Sequence, residues 1–291
     1  MWLLVALLAG RHRLAGPLLV LLYLAQFWAL INTGTLYGEP VDSSWVITVL
    51  DQPMNWRYDA LSWLFAMVTI GAGVLASLYA AGAWMEKYLA TGRSGHAFHV
   101  ALAANVFSMV LLVGAADFLT LFLGWELVSW ASFLLMAIAG GIAAKAAMRY
   151  LTYAFSGAMA ILGAMALIYA EVGSLEYQPF IEAIPTLGNG QLWALLLMLG
   201  GGFAVKMGLM PFHLWQVQAY AETPGPGSAF LGAISARMGL YGILVVFVAM
   251  VGVARLVLKK HAEGAIEARQ DRGRGRLGED AGQAGESGDR I

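Results

Sequence analysis

Apolar residues run along this chain in long blocks without the two-residue alternation of a half-buried strand, and polar residues collect between the blocks. Uncharged runs cover Leu14 to Ile31, Ala60 to Ala81, Ala97 to Ala116, Tyr150 to Ala170 and Ala183 to Val205. The run from Phe118 to Ala144 contains one charge, Glu126, and that from Thr223 to Ala254 contains one, Arg237. A helix needs about 20 mostly apolar residues to cross a hydrocarbon core of roughly 30 Å, so each block predicts a membrane span. Trp2 to Gly10 is apolar but reaches only about half the membrane at 1.5 Å per residue, which makes it a shortened first helix. The expected fold is therefore all-α, a polytopic transmembrane bundle of about eight helices including that short one.

Composition sharpens the picture. Of 291 residues 60% are hydrophobic and 12% charged, and 17 basic against 18 acidic side chains leave no net field to attract nucleic acid. The absence of cysteine excludes disulfides, thiolate-held zinc or iron–sulfur clusters and a cysteine nucleophile. His99 has no evident partner for a haem. No catalytic triad, cofactor or metal ligand set is expected.

Lys and Arg near span ends favour the cytoplasmic side. Arg11 and Arg13, then Lys87 and Arg93, then Lys145 and Arg149 occupy every second connection, whereas Glu39, Asp42 and Asp51, then Asp117, then Glu171, Glu176 and Glu182 fill the others. The basic loops are placed inside. From Arg255 onward the composition turns to Arg, Gly, Glu and Asp without an aromatic residue, too polar to form a core, so residues 255–291 are expected to be a disordered hydrophilic tail beside a membrane domain of residues 1–254. Continued alternation would put Arg255, Lys259 and Lys260 outside, against the charge rule; a shifted reading frame downstream of residue 254 would account for both features.

An ionisable group near the bilayer centre costs roughly 2.5 to 3.5 kcal/mol on insertion scales and so marks a functional position. Glu126, Lys206 and Arg237 all lie inside apolar runs. A buried carboxylate and ammonium on facing helices favour each other's charged form while burial favours the neutral forms, so such a pair can either switch with protonation or simply hold helices together. Gly208 and Pro211 follow Lys206 and predict a break in the helix near 207–212. His213 lies just beyond it, with a reference pKa near 6.5 that suits proton exchange, although a lone histidine also serves in packing. Arg237 keeps its proton and can organise charge but not release it. Gly71 and Gly73, Gly157 and Gly163, and Gly200 to Gly202 offer small faces for close helix contact.

Four segments carry a resemblance: Leu-Phe-Leu-Gly-Trp-Glu-Leu-Val-Ser-Trp-Ala-Ser-Phe at 121–133, Lys-Met-Gly-Leu-Met-Pro-Phe-His-Leu-Trp at 206–215, Ala-Glu-Thr-Pro-Gly-Pro-Gly-Ser-Ala at 221–229 and Ala-Arg-Met-Gly-Leu-Tyr-Gly at 236–242. Together they resemble the antiporter-like proton-translocating membrane subunits shared by respiratory complex I, Mrp antiporters, membrane-bound hydrogenases and some inorganic-carbon uptake complexes, over roughly residues 1–250 and the N-terminal half of the family. The resemblance implies a first inverted repeat in which Glu126 and Lys206 form a gated pair, His213 relays protons, and Arg237 stands where a lysine is usual. It also implies partner membrane subunits that complete the ion path, protons or monovalent cations as cargo, and a bacterial cytoplasmic (inner) membrane as location. The alternatives are a non-conducting scaffold subunit or truncated fragment, and a coupling subunit of a carbon-uptake complex.

Overall fold

The structure is a computed structural model that describes residues 15–32, 39–43, 47–49 and 52–246. The short first helix and the tail expected at 255–291 lie outside the described residues. Helices dominate: α1 (Ala15–Asn32), α2 (Ala60–Ala80), α3 (Ala83–Ala90), α4 (Gly95–Val113), α5 (Phe118–Ala137), α6 (Gly141–Val172), α7 (Tyr177–Ala183), α8 (Asn189–Met207), α9 (Leu214–Glu222) and α10 (Gly225–Val246). Among the described residues six of them, α2, α4, α5, α6, α8 and α10, are long and apolar enough to cross a membrane, and α1 is apolar but shorter. The protein is a polytopic helical bundle.

Local chemistry sets the boundaries. Asp59 accepts from the backbone N–H of Ser62 (2.8 Å), Ser94 from that of Ala97 (3.2 Å) and Asp117 from that of Thr120 (2.7 Å), so α2, α4 and α5 each begin on a side-chain cap. The run from Phe118 to Ala144 proves to be two elements: α5 stops at Ala137, and Gly140 and Gly141 turn the chain at φ 71° and 54° into α6. Lys145 and Arg149 accordingly ride on the first turns of α6, where the Arg149 guanidinium donates to Gln218 Oε1 (3.0 Å). Basic connections gather at this end, where Trp84 and Tyr88 of α3 stack at 4.7 Å.

Acidic connections gather at the other end. Two small antiparallel pairs form there, Val41–Asp42 with Arg57–Tyr58 and Ile47–Val49 with Gln52–Met54, which hydropathy did not predict. Isolated bridges tie Trp56 to Ala115 and Asp117 to Glu176. Asp117 is buried, yet its carboxylate accepts three hydrogen bonds, from Asn55 N, Thr120 N and Thr120 Oγ1, each 2.7 Å. A helix cap and loop clamp therefore satisfy this acid without a cation. Between Phe118, Tyr177 and Tyr241 lies a cavity of about 450 Å³ edged by Arg57, Asp59 and Ser62, and burial raises the Tyr177 phenol well above its ordinary range.

α4 and α5 are the most enclosed helices; α4 packs on α2 and α5, and α6 packs on α5, α8 and α9. Leu21, Trp28, Leu75, Tyr79, Phe155, Trp193 and Leu197 point outward, an apolar exterior suited to lipid. Glycine allows the closest crossings. A Cβ on Gly202 of α8 would meet the Gly157 carbonyl oxygen of α6 at 2.8 Å and Ile161 at 2.5 Å, and one on Gly239 of α10 would strike Met207 and meet the Phe203 carbonyl oxygen at 2.7 Å. Gly200, in the same triplet, faces open space.

Replacing Gly202 by Ala should lower the midpoint of thermal unfolding in detergent, at an overpacking cost of about 1–3 kcal/mol. Gly200→Ala should leave the midpoint unchanged or raise it slightly, because it meets nothing and helix propensity improves. Equal losses at the two positions would show that α6 and α8 do not cross at Gly202.

Candidate functional site: a caged lysine beside a carboxylate cleft

Lys206 stands on the penultimate residue of α8 and is 1% exposed. Its ammonium donates to Ser129 Oγ of α5 (2.9 Å) and to the Tyr150 hydroxyl of α6 (2.8 Å), and it lies over the rings of Trp125 (5.5 Å) and Tyr150 (5.4 Å). Three helices thus converge on one charge. Both hydroxyls accept, and both rings present their electron-rich faces, so the cage offers negative potential without a formal negative charge.

The helix end that carries Lys206 is built by its neighbours. Gly208 takes a left-handed conformation at φ 65°, which favours glycine at this helix end, and a Cβ there would also displace the amide end of Gln216, 2.7 Å away. Its N–H returns to the Val205 carbonyl (3.1 Å) and that of Leu209 to the Ala204 carbonyl (3.0 Å). The chain stays in turns to His213 and becomes helical again at Leu214. Trp215 closes the gap: its indole N–H donates to the Val205 carbonyl (3.1 Å) and its ring packs on Tyr150 at 4.8 Å.

Glu126 sits between Trp125 and Ser129 on α5 but turns toward the outside of the bundle. It is half-buried and lines a cleft of about 380 Å³ with Ser129, Trp130, Met148, Leu151, Thr152, Ala154 and Phe155. None of its oxygens comes within ion-pair distance of Lys206; among the described residues Arg57 and Asp42 (3.6 Å) form the ion pair. Glu126 and Lys206 still act on each other at longer range. Ser129 is the joint between them, because it borders the cleft and accepts from Lys206.

The other two predicted residues lie apart from this cage. His213 occupies the turn before α9, half-buried, and its Nδ1 has no hydrogen-bond partner among the described residues. Arg237 is exposed on α10, and its guanidinium donates to carbonyls of its own helix, Gly232 (3.3 Å) and Ala233. Sequence reasoning found the charges but missed Trp125, Ser129, Tyr150 and Trp215, which surround one of them. Tyr150 carried a faint signal, one residue after Arg149 where a basic helix start meets an apolar run.

The site is thus a buried lysine ahead of a glycine turn in a membrane bundle, with a carboxylate one helical turn from one of its partner hydroxyls. Residues 115–260 match the family model described as NADH:quinone oxidoreductase/Mrp antiporter, TM, and the chain belongs to that family. It is 28% identical over 165 residues to NADH-quinone oxidoreductase subunit N of Pelobacter propionicus, covering 56% of this chain and 35% of that protein. Hydrogenase-4 component B of Escherichia coli is 30% identical over 191 residues, covering 65% of this chain and 28% of that one. The chain thus spans about a third or less of these curated relatives. Its fold is similar to a chain of the archaeal membrane-bound sulfane sulfur reductase (TM-score 0.73, 24% identity, 86% of this chain and 41% of that one). It is also similar to one of the Mrp complex of Dietzia (TM-score 0.70, 22% identity, 83% and 26%).

Lys206→Met should leave the unfolding midpoint unchanged or higher, since it removes a charge whose burial is costly and leaves behind neutral hydroxyls. Tyr150→Phe should lower it by the loss of one hydrogen bond to a charged group, about 1.5–3 kcal/mol. A Met variant less stable than the Phe variant would mean that the lysine is there to hold the fold.

Proposed function

We propose that the chain is a proton, or cation/proton, translocating membrane subunit of a multi-subunit complex of the NADH:quinone oxidoreductase, Mrp antiporter or membrane-bound hydrogenase type, in a bacterial inner membrane. One observation carries this reading: a lysine 1% exposed is held by neutral hydroxyls, next to a cleft that contains a carboxylate. In this reading α8 and α9 are two halves of one interrupted membrane helix. Lys206 stores a proton, Ser129 hands it toward water in the cleft, and Glu126 takes it up. His213, in the turn between the halves, exchanges protons on the other side, and Arg237 sets the field without releasing its own proton. With no cysteine in the chain, the driving force comes from redox partners or an ion gradient, worth about 2.3 kcal/mol per charge per 100 mV.

The placement of Glu126 and Arg237 supports a need for other membrane subunits. Both open to the outside of the bundle, where lipid alone would be a poor neighbour for charge. A partner surface over α10 would bring a carboxylate to Arg237. The rival reading, a scaffold subunit, has its own observation: Lys206 already has two hydroxyl partners and, among the described residues, no contacting carboxylate.

Glu126→Gln and Lys206→Met in the assembled complex separate the two. A relay loses transport by roughly a hundredfold, the scale of a lost acid–base group, with assembly intact; a scaffold transports normally. Arg237→Leu should stabilise the isolated subunit and reduce its co-purification with partners, and unaltered co-purification would count against a partner carboxylate at this position.

A further inference from the structure

At the acidic end of the bundle a polar cavity and an apolar groove join. Phe203 of α8 lies so close to α10 that a Cβ on Gly242 would meet its ring at 2.6 Å. From that contact toward the acidic end, a groove of about 190 Å³ runs between α8 and α10, lined on α8 by Leu192, Leu196, Gly200 and Phe203, and its walls carry no polar side chain. Phe180 of α7 and Val246 of α10 line this groove and also the cavity of about 450 Å³ at Tyr177, so one space continues into the other. The cavity carries charges of both signs and a hydroxyl. Arg57 meets Asp42 through Nε (3.6 Å), which leaves the terminal nitrogens of its fork without a partner among the described residues. Asp59 caps α2 with Oδ1 and keeps Oδ2 for another donor. The Tyr177 hydroxyl is buried and has no hydrogen-bond partner among the described residues, a costly state for a group that burial keeps protonated.

We infer that this joined space binds one phospholipid with an amine in its headgroup: an acyl chain lies in the groove, the phosphate meets Arg57 and the Tyr177 hydroxyl, and the ammonium meets Asp59. From Leu192 to Phe203 the groove follows α8 for about 16 Å at 1.5 Å per residue, close to the roughly 15 Å of one leaflet in a hydrocarbon core of roughly 30 Å. It starts at the polar end and stops at Phe203, as an acyl chain does and a spanning partner helix does not. A helix about 10 Å across would also need roughly 1,000 Å³ over that length, several times the room in the groove. The headgroup follows from charge. Glu39, Asp42, Asp59, Glu171, Glu176 and Glu182 stand at this end against Arg57, so a headgroup of net negative charge meets repulsion, whereas a zwitterion answers both signs. This site stands whether or not Lys206 relays protons.

The test is native mass spectrometry of the full chain, together with any subunits that accompany it, after exchange into detergent containing either phosphatidylethanolamine or phosphatidylglycerol. One phosphatidylethanolamine should stay bound per chain, and phosphatidylglycerol should be lost. Gly200→Leu fills the groove without striking the protein, because a Cβ there faces open space, and should abolish retention while leaving the lipid-free unfolding midpoint unchanged or higher. Tyr177→Phe removes a hydroxyl that no described residue uses and should weaken retention about tenfold, the scale of one hydrogen bond to a charged group. Asp59→Asn keeps a good helix cap and should erase the preference for the amine headgroup. If Gly200→Leu fails to fold, Tyr177→Phe and Asp59→Asn decide the matter. Retention that ignores the headgroup, or that survives Gly200→Leu, overturns the inference. A second copy of the chain or a partner subunit that Gly200→Leu dislodges in place of a lipid overturns it as well.

Discussion

The arrangement depends on keeping one ammonium inside a bundle with no counter-ion in contact among the described residues. Isolated burial of such a charge costs several kcal/mol even after relaxation, and a touching carboxylate is the usual remedy. Here the remedy is two hydroxyl oxygens and two aromatic faces drawn from α5 and α6. These are weak partners individually, so their positions have to be exact to within a hydrogen-bond length. That requirement reaches back into the packing: Tyr150 meets Lys206 only because Gly157 and Gly202 let α6 and α8 cross almost backbone to backbone, and Gly239 lets α10 press on the last turn of α8. The glycines and the lysine belong to one design problem.

Keeping Glu126 out of contact has a consequence for how the site can work. A touching Glu–Lys pair is a deep electrostatic well, and a proton or partner charge must work against it to open the pair. With Ser129 between them the two groups are coupled but not locked, so modest changes in the cleft can alter the balance. The cleft faces outward past Trp130, Met148 and Phe155, so whatever lies against α5 and α6 in the membrane sets the environment of Glu126. Arg237 on α10 has the same exposure with the opposite sign. Each outward charge would be costly against lipid, and the surfaces that carry them suit neighbouring protein.

The helices were legible because membrane spans are written in hydropathy, and their ends followed where charge or a capping Asp or Ser interrupted the run. The turn after Ala137 was not, since Ile138, Ala139, Gly140 and Gly141 are as apolar as a span and only the positive φ of the two glycines betrays it. The small strand pairs near residues 41–58 escaped for a different reason: two- and three-residue strands are too short to show a period. At the site, Glu126, Lys206 and Arg237 announced themselves because charge is rare in lipid. Ser129 and Tyr150 did not, because hydroxyls in apolar helices commonly bond their own backbone, as Ser108 does to Ala104 here. Their role depends on which helix faces which, and that is tertiary information.

The two cations that interrupt apolar runs, Lys206 and Arg237, show how the choice of residue follows from surroundings. An arginine at position 206 would hold its proton whatever its neighbours did, and its planar fork would ask for more acceptors than two hydroxyls supply. Lysine presents a point charge that can be lost, and the cage is sized for that: two acceptors and two ring faces around one nitrogen. At position 237 the situation reverses, since the side chain reaches open surface and its own helix carbonyls, where a proton that never leaves is an asset for pairing with a partner. The chain thus sets its two intramembrane cations in opposite surroundings, the lysine enclosed by buried hydroxyls and the arginine on an exposed helix face.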